Sequence, residues 1–215
     1  MLAGRRREDV VARTRLCLQF GRAVQTNSLM AGEIGYTFIA DCARGLGRHL
    51  GRLTGAELTG LVEVIREHLR QPDTLPRVLT AEHRGVRASA EEVAALVRQG
   101  DLQRLKQLLN LSDRELAQAT GFLALADPDL LLDQMLDRVD DVFERQALEL
   151  TRPAWSRSLV RKPSLEAVTS VDGWLCWALA PDVGAVVEEY TRTEALVRLL
   201  GCHCAIRAWQ LKHRR

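Results

Sequence analysis

The chain has 215 residues, of which 47% are hydrophobic and 27% are charged, and its net charge is +2. This length allows one large domain or two small ones, and the composition argues against general disorder. A general nucleic-acid-binding protein usually carries a larger basic surplus, so nucleic acid is not a favoured partner. Aromatic residues make up only 5% of the chain, so we expect a core of mainly Leu, Val and Ala.

Apolar residues recur at helical spacing along the first half of the chain. This spacing predicts helices over residues 8–25, 29–50, 55–70, 89–99 and 102–109. The first of these helices carries a loose apolar stripe of Val11, Leu16, Leu18 and Val24. The second is rich in glycine and alanine. Because glycine weakens a helix, this composition predicts close backbone contact with a neighbouring helix or, alternatively, a hinge or a break near Gly45.

Three pairs of residues have the spacing of a capping box. In this motif a hydroxyl and a Glu side chain three positions later bind the first backbone N–H groups of a helix. The pairs are Thr54 with Glu57, Ser89 with Glu92, and Ser112 with Glu115. Each pair predicts that a helix begins at its hydroxyl residue.

The second half of the chain continues with predicted helices over residues 112–125, 128–150, 164–179 and 184–215, and a loop over 153–163. No alternating apolar run predicts a strand. The last helix would be roughly 45 Å long at 1.5 Å per residue. We therefore predict an all-α fold, a multi-helix bundle with a long C-terminal helix. It would form a single domain over residues 1–215, with a possible subdivision near 151–164.

The five cysteines are an odd number, and their spacing fits no disulfide framework. This favours a reducing compartment. The chain has no apolar run of transmembrane length, and its basic N-terminus lacks the hydrophobic region of a signal peptide. We therefore expect a cytoplasmic protein, and a membrane is not a favoured partner.

No sequence motif indicates a metal, a cofactor or a catalytic residue. Cys202-His203-Cys204 resembles a set of metal ligands, but residues two apart on a helix point about 200° away from each other. A Gly-x-Ser-x-Gly elbow and a phosphate-binding Gly-rich loop are both absent from the sequence. We therefore predict no metal site and no cofactor, and an enzymatic function has no specific support.

Two acidic groups keep a metal-binding or hydrolytic helical-bundle enzyme open as an alternative. Carboxylates at three- and four-residue spacing can bind a divalent cation or act as acid and base. One group contains Asp133, Asp137, Asp140, Asp141 and Glu144, and the other contains Glu63, Glu67 and His68. A solvated helix face is the favoured interpretation of both groups.

The C-terminal helix and three tryptophans are the candidate partner-binding residues. Trp174 and Trp177 lie one turn apart, and the basic tail contains Arg207, Trp209, Lys212, Arg214 and Arg215. Cations are favoured at a helix C-terminus in any case. The tail nevertheless allows binding to nucleic acid or an anionic membrane as a further alternative. It also ends without a closing glycine or proline, so we expect the chain to be part of a longer protein.

The tail segment Ala205-Ile-Arg-Ala-Trp-Gln-Leu-Lys-His-Arg-Arg215 resembles a segment A-L-R-A-Y-R-L-E-H-G-R. That segment recurs in a family of mainly helical bacterial proteins that has no assigned activity. The stretch 50–79, followed by Ala81-Glu82-His83-Arg84, is similar to a second region of the family. Trp209 and Arg214 depart from the family pattern. The resemblance implies an all-α fold and a truncated C-terminus. From the sequence we expect a non-enzymatic helical scaffold or interaction module whose partner is a protein, self or other.

Overall fold

The structure is a computed structural model that describes residues 2–25, 28–123, 127–153, 156–157 and 170–213. Within these residues it contains nine α-helices, a 3₁₀ helix over Leu50–Arg52 and no strand. The α-helices are α1 (Leu2–Val24), α2 (Leu29–Gly47), α3 (Gly55–Arg70), α4 (Leu75–Gln99), α5 (Leu102–Leu108), α6 (Asp113–Leu123), α7 (Pro128–Leu150), α8 (Val171–Leu179) and α9 (Val183–His213). The predicted all-α bundle with a long C-terminal helix is confirmed. None of the described helices has the length and apolar character needed to cross a bilayer.

The chain divides into two compact units. The terminal unit consists of Met1–Val78 and Val186–Arg215, and the central unit consists of Leu79–Ala185. The terminal unit contains α1 to α3 and most of α9, and the central unit contains α5 to α8 and most of α4. The single domain and the subdivision near 151–164 stay predictions, since residues 154–155 and 158–169 lie outside the described residues.

Two of the three predicted capping boxes are confirmed. At the start of α3, Thr54 N donates to Glu57 Oε2 at 2.6 Å, and Glu57 N donates to Thr54 Oγ1 at 3.4 Å. At the start of α6, Ser112 N donates to Glu115 Oε2 at 2.8 Å, and the reciprocal bond measures 3.3 Å. These local bonds satisfy backbone N–H groups that have no partner inside the helix, which explains where both helices begin.

The third predicted capping box, at Ser89 and Glu92, is wrong. Helix α4 begins at Leu75 and runs through Ser89 without interruption. Its start is stabilised by Asp73, whose Oδ1 accepts a hydrogen bond from Leu75 N at 2.8 Å. Pro76 fits the first turn, because backbone N–H groups there have no helical partner to lose. The turn between α3 and α4 therefore ends one helix and begins the next.

Helices α1, α2, α3 and α9 supply the core of the terminal unit. Its buried members are Leu18, Ile39, Ala43, Leu58, Leu61, Val64, Ile65, Val197, Leu200 and Cys204. Each fully buried Leu contributes about 1.5–3 kcal/mol of hydrophobic free energy. This core fixes the positions of the four helices that carry the site described below.

Helices α1 and α2 approach closely where Gly21 faces Gly35. A Cβ atom built on Gly35 would overlap the carbonyl oxygen of Gly21 and Cγ of Gln25. By contrast, a Cβ atom on Gly45 would meet no described atom within 4 Å, and α2 continues through Gly45 to Gly47. The predicted close backbone contact is confirmed. Helix α2 is not interrupted at Gly45, and it ends at Gly47, before the predicted end at residue 50.

The central unit has its own core, formed by residues of α4 to α8. Its buried members are Ala90, Val93, Leu96, Leu105, Leu123, Leu131, Met135 and Leu175. Within this unit α7 packs against α8, and α6 contacts both α5 and α8. Each unit therefore has an apolar core of its own.

Candidate functional site

The terminal unit contains a polar cavity of about 50 Å³, lined by α1, α2, α3, α9 and the turn before α4. Its walls combine charged, amide and hydroxyl groups with the rings of two tyrosines. The polar lining residues are Arg22, Gln25, Tyr36, His68, Gln71, Asp73, Thr74, Tyr190, Thr193 and Glu194. The cavity is thus lined by residues that are far apart along the chain.

A chain of hydrogen bonds orients Gln25 in the cavity wall. Thr74 Oγ1 donates to Gln25 Oε1 at 2.5 Å. This bond uses the only hydroxyl proton of Thr74, so the Tyr36 hydroxyl donates to Thr74 Oγ1, at 3.4 Å. The amide oxygen of Gln25 is therefore occupied, and its nitrogen is a donor. Gln25 is only 5% exposed, and its Nε2 has no hydrogen-bond partner among the described residues.

Two tyrosine rings form one side of the cavity. The rings of Tyr36 and Tyr190 pack edge to face, with centroids 5.2 Å apart. Burial raises the pKa of both hydroxyl groups far above the ordinary value for tyrosine, and a hydrogen bond with Asp73 raises that of Tyr190 further. The hydroxyl groups of both tyrosines therefore remain protonated at neutral pH. Next to them, Thr193 Oγ1 donates to the Tyr36 carbonyl oxygen at 3.3 Å.

Three charged side chains affect the pKa of the Tyr36 hydroxyl. The carboxylates of Asp73 and Glu194 raise this pKa, and the guanidinium of Arg22 lowers it. Arg22 Nη2 donates to the Pro72 carbonyl oxygen, which links α1 to the turn before α4. Burial, together with the nearby Arg22, lowers the pKa of His68 to about 4. At neutral pH the His68 ring is therefore uncharged, and Arg22 is the one cation among the lining residues.

No family model, curated protein or solved structure matches this chain. The resemblance of the tail to a family of helical bacterial proteins therefore stays a prediction. The functional evidence consists of the geometry and chemistry of the chain itself.

The second feature of the terminal unit is an exposed apolar surface on α1 and α2. On α1, Leu16 and Phe20 lie one turn apart; on α2, Met30, Ile34 and Phe38 follow one another at four-residue spacing. Residues four apart share a helix face. The rings of Phe20 and Phe38 meet edge to face with centroids 5.0 Å apart, which joins the two rows. We call these five residues the α1–α2 stripe. Their exposed fractions range from 38% at Phe38 to 74% at Met30.

Sequence reasoning missed this surface and misplaced one of its members. The apolar stripe predicted for α1 contains both Leu16 and Leu18, but only Leu18 is buried, and Leu16 is exposed. A signal was available on α2, where Met30, Ile34 and Phe38 form a second apolar row beside the buried one. A helix that is apolar on two faces has two surfaces to cover.

The structure describes three of the five predicted tail residues, Arg207, Trp209 and Lys212, and leaves Arg214 and Arg215 outside the described residues. Trp209 is exposed, and its ring lies against that of His213 with centroids 4.9 Å apart. Arg207 Nη1 donates to Gln210 Oε1 at 3.3 Å, and Lys212 is exposed. The surface is accessible, and its role in partner binding stays a prediction.

The other two predicted tryptophans lie in a different environment. Trp174 and Trp177 belong to α8 in the central unit, and both are half-buried. Trp174 packs against the core of that unit beside the buried Leu175. These contacts give Trp174 a role in folding, and the partner-binding role of both residues stays a prediction.

The Cys202-His203-Cys204 segment is helical, and its two thiols have opposite environments. Cys202 is exposed, whereas Cys204 is buried in the core of the terminal unit. Burial raises the pKa of the Cys204 thiol to about 11, so it is uncharged at neutral pH. Across the part of the chain that the structure describes, no group of three or more His, Cys, Asp or Glu residues could hold a metal ion.

Two acidic residues of the α7 group, Asp140 and Asp141, form separate ion pairs. Asp140 Oδ1 is 2.6 Å from His83 Nε2, and the other Asp140 oxygen accepts from Arg87. Asp141 Oδ1 accepts from Arg145 Nε at 2.6 Å. The remaining acids, Asp133, Asp137 and Glu144, are exposed. These residues therefore behave as parts of a helix surface.

The candidate residues on α3, Glu63, Glu67 and His68, also lie in different environments. Glu63 is exposed, and Glu67 forms an ion pair with Arg15 at 3.3 Å. Of the three predicted residues, only His68 lines the polar cavity. Its partners there are residues that sequence spacing did not connect with it.

Proposed function

We propose that this chain is a non-enzymatic helical protein-interaction module and that the α1–α2 stripe is its docking face. The observation that supports this proposal is the row of five large apolar side chains exposed on two adjacent helices. Single exposed apolar residues are common on protein surfaces, but contiguous rows mark binding sites. The proposal keeps the function expected from the sequence and moves its site from the tail to α1 and α2.

The form of the stripe favours a helical partner. The close approach of Gly21 and Gly35 brings the two helix backbones together, so that their apolar rows form one surface. Such a surface can accept the apolar face of an amphipathic helix, whose anchors recur at three- and four-residue spacing. All five members of the stripe are uncharged, so the binding free energy would come mainly from apolar burial.

Site-specific photo-crosslinking in cells tests the proposal. A photoreactive amino acid at position 34 should give discrete crosslinked products with a protein. The same amino acid at position 148 serves as the control, because Leu148 on α7 is exposed to a similar degree, 60% against 56% for Ile34. We expect Phe20→Asp to abolish the products from position 34. The proposal is wrong if position 34 yields no discrete product or the same products as position 148.

Two further measurements identify the partner and the docking face. Sedimentation equilibrium of the purified chain distinguishes a second copy from a different protein, because only self-association depends on the concentration of the chain alone. Trp209→Ser tests the tail surface predicted from the sequence. If this substitution abolishes the crosslinks and Phe20→Asp does not, the docking face is the tail, and the α1–α2 stripe is excluded.

A further inference from the structure

Two cysteine thiols of the terminal unit lie against each other across the contact between α1 and α2. Cys17 belongs to α1 and Cys42 to α2, and both are free and half-buried. A hydrogen bond joins their side chains. Neither residue belongs to the core cluster of this unit, to the lining of the polar cavity or to the α1–α2 stripe. Packing of the core and docking on the stripe therefore do not explain this contact.

Helices α1 and α2 pack as antiparallel neighbours in a regular register. A Cβ atom built on Gly35 would meet Gln25, and a Cβ atom built on Gly21 would meet Ile39. From the first of these contacts to the second, the position moves back four residues on α1 and forward four residues on α2. Each further turn of α1 is therefore matched by one further turn of α2 in the opposite direction.

The next turn along this register contains the cysteine pair. Cys17 comes four residues before Gly21, and Cys42 comes three residues after Ile39. Residues three and four apart share a face of a helix, so both cysteines face the same contact between the helices. The register of the helices and the hydrogen bond between the thiols therefore agree in placing the two sulfur atoms together.

The helices are close enough here for a disulfide. A disulfide requires Cα atoms about 4.4–6.8 Å apart, so it joins two helices only where their backbones approach each other. One turn from Cys17, a Cβ atom on Gly21 would overlap the side chain of Ile39, and one on Gly35 would overlap the backbone of Gly21. The bond therefore needs little movement of either helix.

We propose that Cys17 and Cys42 are an oxidation site that forms a reversible disulfide between α1 and α2, with a small-molecule disulfide such as oxidised glutathione as the oxidant. The Cys17 thiolate attacks one sulfur of the oxidant, releases one glutathione thiolate and becomes a mixed disulfide. The Cys42 sulfur then attacks the Cys17 sulfur and releases the second glutathione. The protons of both cysteines go to the two glutathione thiolates. Two protein thiols are thus oxidised, and one molecule of the oxidant is reduced to two thiols.

The surroundings of the two thiols set the order of these steps. Burial and the neighbouring Cys17 raise the pKa of the Cys42 thiol to about 12, so Cys42 keeps its proton at neutral pH. The thiolate is the attacking form of a cysteine, so Cys17 reacts with the oxidant first. Cys42 reacts second, when the sulfur that it attacks is already in contact with it.

Peptide mapping of the full folded chain tests this proposal. The chain is incubated with oxidised glutathione at neutral pH, its remaining thiols are alkylated, and tryptic peptides are analysed without reduction. We expect peptide 16–22 joined to peptide 23–44, with the loss of two hydrogen atoms, and separation of the two by dithiothreitol. The exposed Cys202 is the comparison within the same sample and should gain glutathione. Absence of the joined peptides, or their formation only in urea, would overturn the proposal.

Three substitutions test the pairing and the order of the steps. Cys42→Ser should trap glutathione on Cys17, which raises the glutathione-bound fraction of peptide 16–22 by about tenfold or more. Cys17→Ser should leave Cys42 reduced, and this variant decides the question if Cys42→Ser fails to fold. Cys202→Ser is the matched control and should leave the joined peptides unchanged. Equal glutathione on Cys42 in the first variant's counterpart, Cys17→Ser, would contradict the assigned order, and loss of the joined peptides in Cys202→Ser would contradict the pairing.

Discussion

The terminal and central units follow the usual separation of polar and apolar groups to different degrees. In the terminal unit five large apolar side chains of α1 and α2 are exposed, and the rings of Phe20 and Phe38 join them into one surface. The central unit also exposes Leu130 and Leu148 and buries the side chains of Gln146 and Glu149, and its Asp140 carboxylate is paired with His83 and Arg87. The docking face proposed above lies in the terminal unit.

This difference has a physical interpretation. Single exposed apolar residues are common, but adjacent rows of them mark surfaces that another molecule covers. Proteins tend to break local rules of packing and pairing at functional sites, and elsewhere to follow them. By this criterion the joined rows on α1 and α2 make the terminal unit the stronger candidate for a binding element.

The largest expected changes in the free energy of unfolding come from truncating a buried leucine in the core of either unit. Leu61 in the terminal unit and Leu175 in the central unit are both fully buried. We expect Leu61→Ala and Leu175→Ala each to lower the free energy of unfolding by about 2–5 kcal/mol. Hydrogen exchange followed by mass spectrometry should show faster amide exchange mainly in the unit that carries the substitution.

The same pair of variants can disprove the division into units. Leu16→Ala serves as a control, since this exposed side chain should leave hydrogen exchange nearly unchanged. If Leu61→Ala and Leu175→Ala accelerate exchange equally in both units, the two units unfold together. In that case the single domain predicted from the sequence is the better description.

A smaller effect is expected at the contact between α1 and α2. Gly35→Ala should lower the free energy of unfolding by about 1–3 kcal/mol, because the added methyl group overlaps the backbone of Gly21. Gly45→Ala on the same helix should stabilise the chain by up to about 1 kcal/mol, since its surroundings are open and alanine favours a helix. Urea denaturation followed by circular dichroism measures both changes. Equal effects of the two substitutions would contradict the close contact.

Features that depend on local sequence were predictable, and those that depend on long-range assembly were not. Thr54 and Ser112 begin helices because their bonds reach only three residues along the chain. Leu16 and Leu18 both fit helical spacing, and only the position of neighbouring helices buries one and exposes the other. The polar cavity combines Gln25 and Tyr36 with Tyr190 and residues of two other segments, and no sequence motif relates positions so far apart.

The smallest expected effect on the free energy of unfolding comes from the ion pairs of Asp140 in the central unit, and it depends on pH. The hydrogen bond from Arg87 and the contact with His83 lower the pKa of Asp140 below its ordinary value. The folded chain therefore binds this proton more weakly than the unfolded chain, in which the pKa of an Asp side chain is about 3.9. The stabilisation by Asp140 is present above that pH. It is lost as the pH falls through the lower pKa of the folded state.

Asp140→Asn should therefore lower the free energy of unfolding at pH 7 by up to about 1 kcal/mol, which is the range for partly exposed ion pairs. The difference from the unsubstituted chain should decrease as the pH falls below about 4. Urea titrations at several pH values measure this, with Asp137→Asn as the control, because Asp137 is an exposed acid on the same helix. A difference that persists unchanged at low pH would show that Asp140 contributes through packing.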